Sequence, residues 1–183
     1  MENVRTNNFV RTHLMSWEPF VLTPPDQKPP VPQPISHRDG LGDRLRIAAF
    51  AELQAVRAFS WAAEHFMDVP PSLIEGWQRQ IPEEKLHFRL LMERMNNLGV
   101  RPEQKAVSAQ LSEKLYACES GKQFAIEIAK AEHKGRLAAL RMAEYLQDGD
   151  PVTTSVFLRI AHDELAHVQL VMDHFDWRPH TRH

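Results

Sequence analysis

The second half of the chain repeats the first in register, and this repeat limits the fold more than any other feature. Glu84 and His87 fall on Glu164 and His167, and Ala51 and Glu52 fall on Ala131 and Glu132. Ala58 and Ala63 match Ala138 and Ala143, Asp68 and Pro71 match Asp148 and Pro151, and Leu90 and Met92 match Leu170 and Met172. No gap is needed. A match that begins well before one turn signal and ends well beyond it describes a duplicated pair of elements. Each copy then needs the other to cover its apolar face.

The elements are helical. "DRLRIAAFAELQAVRAFSWAAEHF" (43–66) places apolar residues three and four apart, and "MDVPP" breaks it. Ser72 with Glu75 reads as a capping box that opens a second helix through about Leu98, closed by Gly99. Residues 100–118 form a connector, with a helix expected from Pro102. A third helix is expected over Glu119–Gln147. Asp150-Pro151 supplies an N-cap and a first-turn proline for a fourth, 151–175. No strand-like alternation competes. The expected fold is all-α: a four-helix bundle made of two duplicated helical hairpins with a long crossover. The expected organisation is an irregular Pro-rich N-terminal arm over 1–42, the bundle over 43–177 and a tail over 178–183.

Composition removes several classes of function. A length of 183 residues suits one domain with a sizeable core. A formal charge of −2 gives no pull toward nucleic acid or an anionic membrane. No apolar run approaches the ~20 residues of a membrane span. The start, "MENVRTNNFVRTHLMSW", lacks the apolar core of a signal peptide. Cys118 is the only cysteine, which excludes an intramolecular disulfide and fits a reducing compartment, so a cytoplasmic location is expected. "TPPDQKPPVPQP" (23–34) holds six prolines and reads as an extended arm. It either wraps over its own domain, reaches the partner subunit of a homodimer, or is a loosely held tail.

The repeat gains chemical meaning from its register. One Glu-x-x-His pair means little among fifteen glutamates and ten histidines. In an antiparallel hairpin, however, residues equidistant from the turn share a level. Glu52 and Glu84 stand equally far before and after Asp68, and Glu132 and Glu164 stand at that same separation before and after Asp148. At ~1.5 Å per residue, all four lie ~24 Å from their turns. Residues i and i+3 share a helix face, so Glu84/His87 can hold one ion and Glu164/His167 another. Glu52 and Glu132 can bridge or complete the shells. Four carboxylates in one layer would destabilise the fold without cations. The alternative is four glutamates facing solvent on unrelated surfaces, which leaves the repeat without a cause. The six-residue pattern is similar to the di-iron carboxylate sites of ferritin-like bundles. Its oxygen and imidazole donors suit two Fe ions, or Mn, or a mixed Fe/Mn pair, with Zn able to bind.

Other residues are weighed against this layer. Glu83 and Asp163 precede the ligand glutamates, and each either accepts a hydrogen bond from a ligating histidine on a neighbouring helix or is a solvated acid. Glu127 is an alternative third-helix ligand, ~140° around the helix from Glu132. Glu64 and Glu144 stand near the turns and read as solvated. His65, His133, His162 and His174 have no counterparts in the repeat. Pro82 is expected to kink or bulge the second helix. Ala55 and Gly135 either leave room near the metals or permit close packing. Arg136 either holds an anionic group or faces outward. Tyr116 and Tyr145 lie too far along the chain to serve as a radical site.

"FAELQAV", "PEEKLHFRLLMERMNNLGV", "RIAHDELAHV" and the entry "HRDGLGDRLRIAAFAELQAV" resemble an uncharacterised ferritin-like family, a domain of unknown function, over roughly residues 25–177. The "EELxHF"-like segment is also similar to the tRNA-hydroxylase branch of ferritin-like proteins. Members often carry histidine just before the first glutamate, where this chain has Phe50-Ala51, and "EHKGRL" is a loose match. The resemblance implies metal ligands at Glu52, Glu84, His87, Glu132, Glu164 and His167. The expected function is an oxygen-activating oxidoreductase, with dioxygen and an unknown small substrate or electron donor as partners. Iron storage and a non-catalytic metal module are the alternatives.

Overall fold

The computed structural model describes residues 15–179. The expectations for the first residues of the arm and the last of the tail lie outside that range. The described chain is all-helical: α1 Gly40–His65, α2 Pro71–Asn97, a 3-10 turn Pro102–Gln104, α3 Gln110–Tyr116, α4 Gly121–Leu146 and α5 Pro151–His174. No strand forms among the described residues, apart from one isolated parallel bridge between Leu22 and Val107. None of the described helices is long and apolar enough to cross a membrane.

The chain divides into two compact units, and α1 and α2 each run through both. Residues up to Ala55 and Glu84–Ala117 form one; Val56–Glu83 and the chain from Cys118 form the other.

In the first unit, Leu45, Ala49 and Phe50 of α1, Leu91 and Met95 of α2, and Leu115 of α3 are buried. The Pro-rich arm packs on this core. The Trp17 ring stands edge-on to Phe50 at 5.3 Å, and Phe20 lies 5.1 Å from the same ring. Each buried aromatic contributes about 1.5–3 kcal/mol. Val21–Thr23 is free of proline and can pair its backbone: Val107 N donates to Val21 O at 2.9 Å, and Thr23 N donates to Val107 O at 2.8 Å. The helix α1 begins at Gly40, earlier than expected at residue 43, because Asp43 does not act as a cap. Its N–H donates to Asp39 O, while its carboxylate accepts from Gln33 N, Arg46 and Lys105. The same bonds shape the connector. Arg46 donates twice to Arg101 O, and Lys105 reaches Asp43 on an extended backbone, so the helix expected from Pro102 stops after one 3-10 turn. A separate short helix, α3, follows. Gly99 has φ +67, and Val100 N donates to Met95 O, which closes α2 as expected.

In the second unit, α4 and α5 pack along one another. Phe124 is fully buried among Phe59, Trp61, Phe66 and Trp77, with ring centroids 5.2–6.2 Å apart. Ser120 caps α4 by accepting from Gln123 N, and Asp150 caps α5 by accepting from Thr153 N, with Pro151 in the first turn. The start of α2 differs from the expected capping box. The helix opens at Pro71, and the Ser72 hydroxyl meets His174 Nε2 at 2.9 Å. Gly76 lets α2 approach α5 closely, since a Cβ there would sit 2.5 Å from a Leu170 methyl. Pro82 lies inside α2 without ending it.

Candidate metal-binding site

All six residues of the expected ligand set are buried: Glu84 and His87 fully, Glu52, Glu132, Glu164 and His167 to 8% exposure or less. A buried carboxylate is costly unless a positive charge or hydrogen bonds compensate it. Each unit concentrates two carboxylates and an imidazole.

In the first unit, α1 supplies Glu52, and α2 supplies Glu84 and His87 one turn apart. One donor atom from each lies within 4.8 Å of the others. His87 Nδ1 stands 3.6 Å from Glu52 Oε2 and 3.7 Å from Glu84 Oε2. Burial, and then the neighbouring Glu84 charge, raise the Glu52 carboxyl to about 8, against the pull of His87. Burial disfavours a charged His87, but the two carboxylates outweigh it and push the imidazole up to about 11. Both shifts have one meaning. Two buried carboxylates at close range favour positive charge among them, and the imidazole supplies it.

In the second unit, α4 supplies Glu132, and α5 supplies Glu164 and His167. Their donor atoms also lie within 4.8 Å of one another. His167 Nδ1 faces Glu164 Oε2 at 3.4 Å. On its far side, His167 Nε2–H donates to Glu83 Oε2 at 2.7 Å. That bond places a proton on Nε2 and turns Nδ1 toward the Glu164 carboxylate. Two ligands of one ion, each about 2.1 Å from it, stand roughly 3.0–3.4 Å apart. Glu83 itself is half-exposed. The Phe59 ring stands 6.4 Å from the His167 ring, nearly perpendicular to it, and helps fix its orientation. The residues present fit a divalent ion in each triad.

The remaining candidates fall into place around these triads. Asp163 accepts from Arg159 Nε at 2.6 Å and meets His162 Nδ1 at 3.0 Å on its own helix. Glu127 accepts from Lys130 at 2.7 Å. Glu64, Glu144 and Tyr145 are exposed. His65 stacks on Trp61 at 4.6 Å, and His174 Nδ1 meets Leu170 O. Tyr116 is buried in the first unit with its hydroxyl 4.0 Å from Met15 Sδ. Ala55 is buried, but Gly135 is exposed and a Cβ there would meet nothing within 4 Å. Gly135 therefore makes no close packing contact with another helix, and it lies about 60° around the helix from Glu132. Arg136 is half-buried.

One cluster escaped the sequence reading: Asp43, Arg46 and Lys105. The spacing of Asp43 and Arg46 on α1 was a visible signal, but Lys105 comes from the connector, and no periodicity announces it.

A family model described as "Protein of unknown function (DUF455)" matches residues 20–183, and the chain belongs to that family. Comparison with curated proteins and with solved structures finds no match.

Proposed function

We propose that this member of the family is a non-haem dinuclear metal-carboxylate protein, with iron or manganese held by the two triads. Glu52, Glu84 and His87 would hold one ion, and Glu132, Glu164 and His167 the second. The fold proposed for the chain is a ferritin-like bundle of two duplicated hairpins. The observation that carries this reading is the orientation of His167: Nε2–H is tied to Glu83, and Nδ1 is turned toward a buried carboxylate. A histidine serving only as a core residue has no need of an acid on each side. The single sequence register of all four glutamates, each equally far from its turn, supports equivalent roles for the two triads.

The reaction class follows from the donors. Carboxylate oxygen with imidazole favours iron or manganese over the thiolate-loving ions. When bound, such ions supply electrons and open coordination positions for the reduction of dioxygen. The protein excludes bulk water by burying every ligand and fixes the histidine tautomer through Glu83. We therefore assign it to the oxygen-consuming oxidoreductases acting on a small substrate.

The test is metal content per chain after purification without chelators, followed by anaerobic Fe(II) loading and exposure to air. Two metals per chain with dioxygen uptake and growth of ferric absorption is the expected result. Bound metal without dioxygen uptake moves the protein to a non-catalytic metal module. A very large assembly by size exclusion moves it to iron storage. Folded protein that takes up no metal overturns the reading.

A further inference from the structure

We propose that the first unit contains a second, separate binding site: a pocket for a small apolar carboxylate, on the face of α1 opposite Glu52. A cavity of about 360 Å³ lies between α1, the connector and the Pro-rich arm. That volume falls within the range of small-molecule sites, roughly 300–1,000 Å³. Its walls are largely apolar, formed by Ile47, Phe50, Ala51, Val107 and Leu111, and the arm closes one side with Pro29, Pro30 and Pro32. On α1 the lining residues Asp43, Ile47, Phe50, Ala51 and Gln54 form one stripe. Glu52 lies about half a turn away from the middle of that stripe, so the cavity and the first metal triad occupy opposite faces of the helix.

The charge at the polar end selects the ligand. Asp43 is buried and receives Arg46 Nη1 at 3.1 Å, Lys105 Nζ at 2.6 Å and the Gln33 N–H at 2.8 Å. Two cations meet one carboxylate, which leaves one positive charge on the cavity wall. Neutral polar groups of the lining are already engaged: Gln54 accepts from Ser112 N and donates to Phe50 O, and Ser108 Oγ accepts from Gln110 N. Arg46 is buried and spends Nε and Nη2 on Arg101 O, so its charge is fixed in place. Lys105 is about 29% exposed and keeps a proton able to turn toward a ligand. A monoanion neutralises the excess charge, and an apolar body fills the rest. A carboxylate on a hydrocarbon of about eight carbons meets both requirements, since charge-assisted hydrogen bonds favour it over a neutral analogue. This inference does not depend on metal in either triad.

The test is calorimetric titration of the full-length chain with octanoate and with octan-1-ol. Octanoate is expected to bind saturably and more tightly than the alcohol. Lys105→Met is expected to weaken octanoate roughly tenfold or more while leaving octan-1-ol within about twofold. Ala106→Phe places a ring in the cavity and is expected to weaken both severalfold. Circular dichroism establishes that each variant is folded, and if Lys105→Met unfolds, the wild-type ligand pair and Ala106→Phe decide alone. Any one of four results overturns the proposal: no saturable octanoate binding, equal affinity for acid and alcohol, or octanoate affinity unchanged in folded Lys105→Met or in folded Ala106→Phe.

Discussion

Glu83→Ala is the substitution that isolates the histidine-orienting contact from the metal ligands themselves. Glu83 Oε2 accepts from His167 Nε2–H at 2.7 Å and contributes nothing else to the triad. A hydrogen bond to a charged group contributes about 1.5–3 kcal/mol when well shielded. Glu83 is 51% exposed, so water screens part of that interaction. Removing such a partner of a ligating histidine costs about 10–100-fold in metal affinity. The exposure places this case near the lower limit, about tenfold or ~1.4 kcal/mol. Glu83→Gln keeps an acceptor oxygen without the charge and should lose only about threefold. The assay is anaerobic titration of Mn(II) against a competing chelator, with thermal unfolding of the metal-free variants as a control. Glu93→Ala, on the same helix and paired only loosely with Arg89 at 3.7 Å, should leave affinity unchanged. If Glu83→Ala binds Mn(II) within about twofold of the parent chain, the tautomer argument fails, because His167 would then need no fixed proton on Nε2.

Two further outcomes follow from named contacts. Glu132→Ala should lower metal stoichiometry, measured by elemental analysis, whereas Glu127→Ala should not, because Glu127 is engaged with Lys130 outside the triad. Asp43→Asn should destabilise the fold by about 2–3 kcal/mol, since it leaves Arg46 and Lys105 facing each other without their shared anion. Burial alone would raise the Asp43 carboxyl, but the bonds from Lys105 and Gln33 and the charges of Lys105 and Arg46 bring it below its usual 3.8. A depressed folded value means that its stabilisation is complete above pH about 4 and is lost as pH falls through that lower value. Melting temperature followed over about pH 3–6 should therefore drop at the acid end in the parent chain and stay flatter in Asp43→Asn; parallel curves would refute the assignment.

Most of the helical content was legible in the sequence because its signals are local. Helix starts were less exact, since α4 was expected from Glu119 and begins at Gly121 behind Ser120, while Asp150-Pro151 and Gly99 marked their termini within a residue. The candidate pairs were legible for the same reason: Glu84 with His87, and Glu164 with His167, lie one helical turn apart, and the internal repeat set them apart from isolated matches. The misreadings share a different cause. Ser72 met His174, 102 residues away, instead of capping its own helix. Asp43 became the hub of a buried charge cluster through Lys105, 62 residues away, and α1 began earlier as a result.

The sequence by itself determined which segments are helical and which side chains can share a helix face, because both depend on spacings of a few residues. Tertiary structure alone decided that the proline-rich arm packs on Phe50, that Asp43, Arg46 and Lys105 meet at one end of a cavity, and that Glu83 holds His167. Each of these is a contact between distant stretches of chain. Such contacts form only when burial of the surrounding apolar side chains compensates the entropy of closing the intervening loop, and no local pattern records that balance.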